Sequence, residues 1–221
     1  LNVLVDEGIV SGWDDPRMPT IAGMRRRGYP VTALREFVTR AGVTKKDKLI
    51  EMGALENCVR ETLGDTAERR MAVLKPLKVV LTNYPDDKVE MMQAMNHPAK
   101  PELGTREMPF SREVWIERDE FMEEAPRKFF RLKPAGEVRL RFGYIIRCDE
   151  VIKDASGEVV ELRCSYDPET RSGTGSGDRN VKGTIPWVSR QHAIDARVRL
   201  YVRLFTVANP NSADDVHAVL N

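Results

Sequence analysis

The chain has 221 residues, 41% of them hydrophobic and 31% charged, with a formal net charge of +1 at pH 7. That balance excludes a polycation, a disordered tail and a membrane-embedded protein, so any basic surface must arise from uneven distribution of charge. The length exceeds the usual single-domain size of roughly 100–150 residues, so one large or two small units are expected.

A first short helix is predicted over residues 20–27, stopped by Gly28 and Pro30. Val31, Leu34, Phe37 with Val38, and Ala41 then recur at helical spacing, and Gly42 stands where that helix would end. Thr44 with Asp47 three residues on reads as a variant capping box for the next helix. Its stripe is Leu49, Met52, Leu55, Val59 and Leu63, with Gly64 as its end. From about Met71 the period changes. Val79–Leu81, Val114–Ile116, Val138–Ile146, Val159–Cys164, Thr184–Val188 and Val198–Phe205 are short β-prone runs separated by Pro, Gly and Asp clusters. Asp154 to Gly157 reads as a hairpin turn, and residues 171–178 as a surface loop with no lysine and hydroxyl pair to make it a phosphate cradle. The expected fold class is α+β, with an N-terminal helical subdomain followed by an antiparallel β-barrel.

Chemistry-bearing residues point to binding. Arg17, Arg25, Arg26, Arg27, Arg35, Arg40, Lys45, Lys46, Lys48 and Arg60 crowd the helical half, as a phosphate-contacting surface or a solvated helix face would require. Arg139 and Arg141 alternate with Val138, Leu140 and Phe142, which puts both guanidinium groups on one face of a strand. There they can read base edges or phosphates, or simply meet water. Arg127, Lys128 and Arg131 interleave with Phe129 and Phe130, which suits stacking on unpaired bases or anchoring of a loop. Asp14 and Asp15 precede Pro16 and read as turn formers and caps. His97, His192 and His217 have no nucleophile and acid to complete a catalytic set. Cys58, Cys148 and Cys164 form no CxxC pair, so they read as reduced, buried side chains, and no metal site is expected. No run of about 18 apolar residues and no signal peptide appears, which predicts a cytoplasmic protein.

The segments Gly12-Trp-Asp-Asp-Pro-Arg-Met-Pro-Thr20 and Gly23-Met-Arg-Arg-Arg-Gly28 closely resemble the stretch after the second ATP signature of glutaminyl-tRNA synthetases. The resemblance continues through Ala67-Glu-Arg-Arg-Met-Ala-Val73, Asn96-His-Pro98, Lys100-Pro-Glu-Leu-Gly-Thr-Arg106, Ile116-Glu-Arg-Asp-Glu-Phe121 and Glu137-Val-Arg-Leu-Arg141. Lys182-Gly183, Trp187-Val-Ser189, Arg199-Leu-Tyr201 and Arg203-Leu-Phe205 extend it toward the end, so it covers essentially the whole chain.

By that resemblance, residues 1–66 are the end of a catalytic region and a helical subdomain. Residues 67–208 are a proximal anticodon-binding barrel, and residues 209–221 open a following segment. The resemblance implies RNA-binding roles for Arg69, Arg131, Arg139 and Arg141 at the anticodon, and for Lys45 and Glu51 near the inner corner of the tRNA. Phe130 and Lys128 depart from the pattern of some bacterial relatives, which have Lys and Gln there. Leu1 is not a start methionine and the last residues carry no stop pattern, so both ends read as cuts. Both ATP signatures are missing. The implied whole enzyme is a monomeric ligase that joins glutamine to its tRNA with ATP and magnesium. This stretch is expected to bind tRNA without a cofactor, metal or catalytic residue of its own. Two alternatives stay open: a glutamyl-tRNA synthetase of the archaeal or eukaryotic type, and a free-standing RNA-binding module.

Overall fold

The structure is a computed structural model that describes residues 1–43, 45, 49–174 and 179–221. Two units are resolved within it, Leu1–Ala67 with Val198–Asn221, and Glu68–Arg197.

In the first unit, helices α1 (Asn2–Asp6), α2 (Ile21–Arg27), α3 (Val31–Ala41) and α4 (Met52–Thr66) follow in order. Thr20 caps α2 by accepting from the Gly23 N–H at 2.9 Å, and Gly28 ends it in the left-handed conformation, φ 95°. The α3 helix matches its predicted span, with Gly42 following at φ 70°. Ala33, Leu55 and Val59 are buried together, with Leu34, Phe37 and Met52 against them. Two expectations change for α4. It starts at Met52, leaving Leu49 outside the helix and exposed, and it runs through Gly64 to Thr66. A helical glycine costs only about 1 kcal/mol relative to alanine, too little to stop a helix by itself. The Thr44 and Asp47 capping box lies outside the described residues.

Asp15 organises the turn before α2. It is buried and accepts from the Ser11 N–H and the Arg17 N–H, each at 2.9 Å, and from Arg17 Nε at 3.0 Å and Nη2 at 2.8 Å. The same guanidinium donates to the Ile9 carbonyl at 3.0 Å. Gly23 lets α2 approach this turn, because a Cβ there would lie 2.5 Å from the Asp15 carbonyl oxygen.

The Val198–Phe205 stretch is not a strand. Val198, Leu200 and Val202 stay exposed, and the segment makes one isolated bridge, Phe205 with Leu220. Period-two alternation requires a neighbouring strand for its backbone groups, and none pairs with 198–204 among the described residues. Leu204 instead packs with Leu4, Val10 and Met18.

The second unit contains β1 (Pro76–Leu81), β2 (Glu90–Met95), β3 (Thr105–Phe110), β4 (Glu113–Glu117), β5 (Glu137–Leu140), β6 (Ile145–Lys153), β7 (Val159–Asp167), β8 (Thr184–Ile185) and β9 (Val188–Ser189). Seven strands form one sheet in the order β8-β5-β6-β7-β1-β4-β9, and β2 pairs with β3 in a separate hairpin. The pairs β1/β4, β4/β9, β5/β6 and β6/β7 are antiparallel, whereas β1/β7 and β5/β8 are parallel. The opposite edges of this sheet, β8 and β9, are separated in sequence only by Pro186 and Trp187. So short a link forces the sheet to curl on itself as a half-barrel, and the α+β expectation with an antiparallel-rich barrel-type sheet holds.

Inside the curl, Leu77, Val79, Leu81, Val114, Ile116, Val138, Leu140, Ile146, Leu162 and Trp187 are buried together. The hairpin turn at Asp154 to Gly157 is present, with Asp154 Oδ1 accepting from the Ser156 and Glu158 N–H groups and Gly157 at φ 87°. The β2 strand carried no β-branched signal, being Glu-Met-Met-Gln-Ala-Met. It is held by pairing with β3 and by Glu90, which accepts from the Tyr84 hydroxyl at 2.7 Å and the Tyr144 hydroxyl at 3.0 Å. Burial alone would raise the Glu90 carboxyl, but those two hydroxyls and Lys88 hold it below the usual range. Burial and Glu90 push the Tyr144 phenol up to about 12.

The Asp15 network yields a pH test. Hydrogen bonding from Arg17 outweighs burial, and the Ser11 and Arg17 N–H groups add to it, so the carboxyl is held far below the usual carboxylate range. A depressed carboxyl stabilises the fold fully above its unfolded value of about 4, and that contribution is lost as the pH falls toward the folded value. Asp15→Asn is expected to cost about 1–3 kcal/mol at neutral pH. The difference in urea stability between wild type and variant should shrink on acidification below about pH 4. A difference independent of pH would show that charge at Asp15 contributes nothing.

Candidate nucleic-acid interface

The turn from β5 to β6 positions the first group. Leu140 and Tyr144 close it, with the Leu140 N–H donating to the Tyr144 carbonyl at 2.8 Å, and Phe142 is held in the left-handed region at φ 63°. A phenylalanine held there is strained, and such strain concentrates at functional surfaces. The backbone of Arg141 is gripped from both sides of the edge link. Its N–H donates to the Ile185 carbonyl at 3.0 Å, and its carbonyl accepts from Trp187 Nε1 at 2.8 Å. The side chain is left exposed, without an ion-pair partner among the described residues.

Arg69, Arg70, Arg106 and Arg141 line one cavity of about 350 Å³, whose other walls include Met71, Met95, Pro98, Phe142 and Pro186. Asn96 is its hub. Its Oδ1 accepts from Arg70 Nη1 at 3.1 Å and Arg106 Nη1 at 3.2 Å, its Nδ2 donates to the Leu103 carbonyl, and its own carbonyl accepts from the Arg69 N–H at 2.6 Å. Burial and the neighbouring Arg70 charge lower the Arg106 pKa. Arg70 also pairs with Glu68. Four guanidinium groups beside flat apolar walls can take a base edge or a phosphate in planar, bidentate fashion.

A second cavity of about 620 Å³ adjoins Arg141 on another side, lined by Glu120, Lys128, Phe129, Phe130, Arg131, Lys182 and Pro186 among others. Arg131 Nε pairs with Glu120 at 3.0 Å, and Lys182 Nζ lies 5.3 Å from the Phe130 ring centre. Phe130 is 50% exposed, whereas Phe129 is half-buried, so of the two rings Phe129 anchors and Phe130 is presented to solvent. Gly183 permits this loop, since any Cβ there would overlap the Phe130 carbonyl oxygen.

The structure thus brings Arg69, Arg131 and Arg141 to one continuous surface, with Arg141 shared between the cavities. Arg139 is placed otherwise. Although it shares the outer face of β5, its guanidinium donates to the Thr170 carbonyl at 2.7 Å, the Arg179 carbonyl at 3.0 Å, and the Gly143 carbonyl and Ser172 Oγ at 3.3 Å each. Lys45 and Glu51 belong to the first unit, both exposed, with Glu51 immediately preceding α4. Of the helical basic residues, Arg17 holds Asp15, Arg26 holds Asp14, Arg40 holds Glu36 and Glu61, and Arg27 lies over the Tyr29 and Tyr201 rings. The exposed pairs of Arg26 and Arg40 are worth about 0–1 kcal/mol, weak enough for a phosphate to replace the acid, whereas Arg17 is committed to the buried Asp15. Sequence reasoning missed Arg70, Arg106, Asn96 and Lys182. The resembling segments contained all four, but nothing in their spacing showed that they converge.

Among the described residues, no group of three or more His, Cys, Asp and Glu could hold a metal ion. Among those residues, no helix is long and apolar enough to cross a membrane.

Arginines converging beside apolar walls on a curled sheet suit unpaired nucleic-acid bases. Residues 67–167 match the family described as tRNA synthetases class I (E and Q), anti-codon binding domain, and residues 1–65 match the catalytic domain of the same class. The chain belongs to this family of class I tRNA synthetases. Its relatives include a glutamine–tRNA ligase from Bradyrhizobium diazoefficiens, 56% identical over 97% of this chain and 38% of that protein. Others with that name come from Tolumonas auensis, 55% identical over 100% of this chain and 40% of that protein, and Rhodopirellula baltica, 55% identical over 99% and 36%. The chain therefore spans about two fifths of the length of these curated relatives.

Arg139→Ala is expected to reduce the stability of the barrel unit by about 1–3 kcal/mol, because the Thr170 and Gly143 carbonyls lose a charged donor. Amide exchange across residues 170–174 should accelerate with it. Unchanged exchange there would show that Arg139 does not hold this segment.

Proposed function

We propose that the unit spanning Glu68–Arg197 grips the anticodon loop of a glutamine tRNA, in a protein that as a whole joins glutamine to that tRNA with ATP. The observation that carries this reading is the convergence of Arg69, Arg70, Arg106 and Arg141 on one cavity with apolar walls. Anticodon bases are unpaired and can be turned outward, so a rim of forked donors beside flat apolar surfaces suits them. Arg69 and Arg141 contact base edges or phosphates directly, and Arg131 adds charge beside the exposed Phe130 ring. Arg139 acts through the 170–174 segment that it holds. Lys45 and Glu51 meet the inner corner of the tRNA. The match to the anti-codon binding family and the names of the relatives support the assignment.

ATP and its magnesium are assigned to the part of the protein outside this unit. The lining of the two cavities carries a single carboxylate, Glu120, which already pairs with Arg131, so the donor set does not suit a hydrated magnesium ion. The work of this surface is binding and orientation of tRNA, by a monomeric protein in the cytoplasm.

The test uses the full-length protein. Arg141→Ala and Arg69→Ala are expected to weaken binding of glutamine tRNA by about 1–3 kcal/mol each. A base contact loses discrimination against tRNAs with altered anticodons, whereas a phosphate contact lowers the salt slope by about 1 and leaves discrimination intact. Wild-type affinity in both variants would remove this surface from the anticodon. Aminoacylation with glutamate in place of glutamine would assign the protein to the glutamate branch of the family.

A further inference from the structure

Cys148 on β6 and Cys164 on β7 stand directly opposite one another in the antiparallel register. Both are buried and reduced. Directly opposed residues share a face of the sheet, so both sulfurs lie in the same core. The backbone hydrogen bonds define which kind of pair this is. Cys148 donates its N–H to the Gly136 carbonyl at 3.1 Å, and its carbonyl accepts from the Ala135 N–H at 2.8 Å. Both groups therefore face the chain leading into β5 and turn away from β7. On the other strand the Cys164 carbonyl accepts from the Thr82 N–H at 2.8 Å, beyond the end of β1. The two cysteines are thus a non-hydrogen-bonded pair, the class in which opposed Cα atoms lie about 4.5 Å apart and side chains come closest. That spacing falls within the Cα window of about 4.4–6.8 Å that a disulfide requires.

Two further features bear on reactivity. The ladder is irregular between Cys148 and Glu150, where Asp149 is bulged out of the pairing. A bulge of this kind breaks the run of hydrogen bonds and gives the strand a local point of opening. In addition, the Cys148 thiol donates to the Glu150 carbonyl at 3.9 Å, across the bulge, and the nearness of the two sulfurs holds Cys148 below the ordinary thiol range while Cys164 is pushed well above it.

We infer that Cys148 and Cys164 form a redox pair, which a hydroperoxide converts into a disulfide that staples β6 to β7. The Cys148 thiolate attacks the peroxide oxygen, forming an S–O bond as the O–O bond breaks, and the departing alkoxide or hydroxide takes up a proton. The product is a sulfenic acid. The Cys164 sulfur then displaces its oxygen, forming the S–S bond and releasing water with the Cys164 proton. Two electrons pass from the two thiols to the peroxide. Thiol reductants reverse the step by exchange. Because β5 pairs with β6, the staple lies one strand away from the strand that leads to Arg141.

The test counts thiols in the full chain, with Cys58 as internal reference, since it is buried in α4 and belongs to the other unit. Protein treated with graded hydrogen peroxide is quenched, unfolded and alkylated, then mapped by mass spectrometry. The expected result is loss of alkylation at Cys148 and Cys164 together, a disulfide-linked peptide pair, full alkylation of Cys58, and recovery with dithiothreitol. In Cys164→Ala the sulfenic acid has no resolving partner, and dimedone should label Cys148 several-fold above Cys58. The wild-type count stands alone if that variant fails to fold. Three alkylatable thiols throughout, or oxidation of Cys148 and Cys164 to sulfinic acid without a linked peptide, would overturn the pairing.

Discussion

The second unit depends on one short link. Residues 183–189 donate and accept along β5, turn at Pro186 and Trp187, and pair with β4 at the far edge of the same sheet. Because β8 and β9 are each two residues long, neither edge offers a long open ladder, and the sheet closes toward itself instead of growing by addition of another chain. The Trp187 indole fills the curl against Phe110, with ring centres 5.0 Å apart, and spends its N–H on the Arg141 carbonyl. The same contact that closes the sheet therefore fixes the backbone of the arginine shared by both cavities.

Charge is arranged around that closure in two ways. Where an arginine meets main-chain carbonyls, as Arg139 does at Thr170 and Arg179, the guanidinium serves as a clamp between segments. Where arginines are crowded about a neutral amide, as Arg70 and Arg106 are about Asn96, positive charge exceeds what the one nearby carboxylate, Glu68 on Arg70, can offset beside the apolar walls. A guanidinium stays charged throughout, so crowding costs repulsion that an incoming anion or electron-rich base edge relieves. That is how a chain with a net charge of only +1 can hold a cationic cavity.

Much of the architecture was legible before the structure. Val138 and Leu140 point inward with Arg139 between them, as period two requires, and α3 spans Val31–Ala41 as its stripe predicts. The failures have physical causes. The β2 strand is rich in methionine and lacks branching, and only its pairing with β3 makes it a strand. Val198 to Phe205 has the alternation of a strand but no partner along 198–204 among the described residues. Gly64 carries a stop signal that the rest of α4 outweighs.

The sequence by itself determined the family, the order of a helical region and a strand region, and the presence of an arginine surplus beside aromatics. Local residue types and their spacing carry that information, because helix and strand periods are set within a few residues. Tertiary structure alone decided which arginines meet. Arg69, Arg106 and Arg141 are far apart in the chain and share a cavity, whereas Arg139 and Arg141, two residues apart, serve different purposes. Direction along a strand follows from the backbone, but the destination of a long, flexible guanidinium depends on which carbonyls and rings the rest of the fold places within its reach.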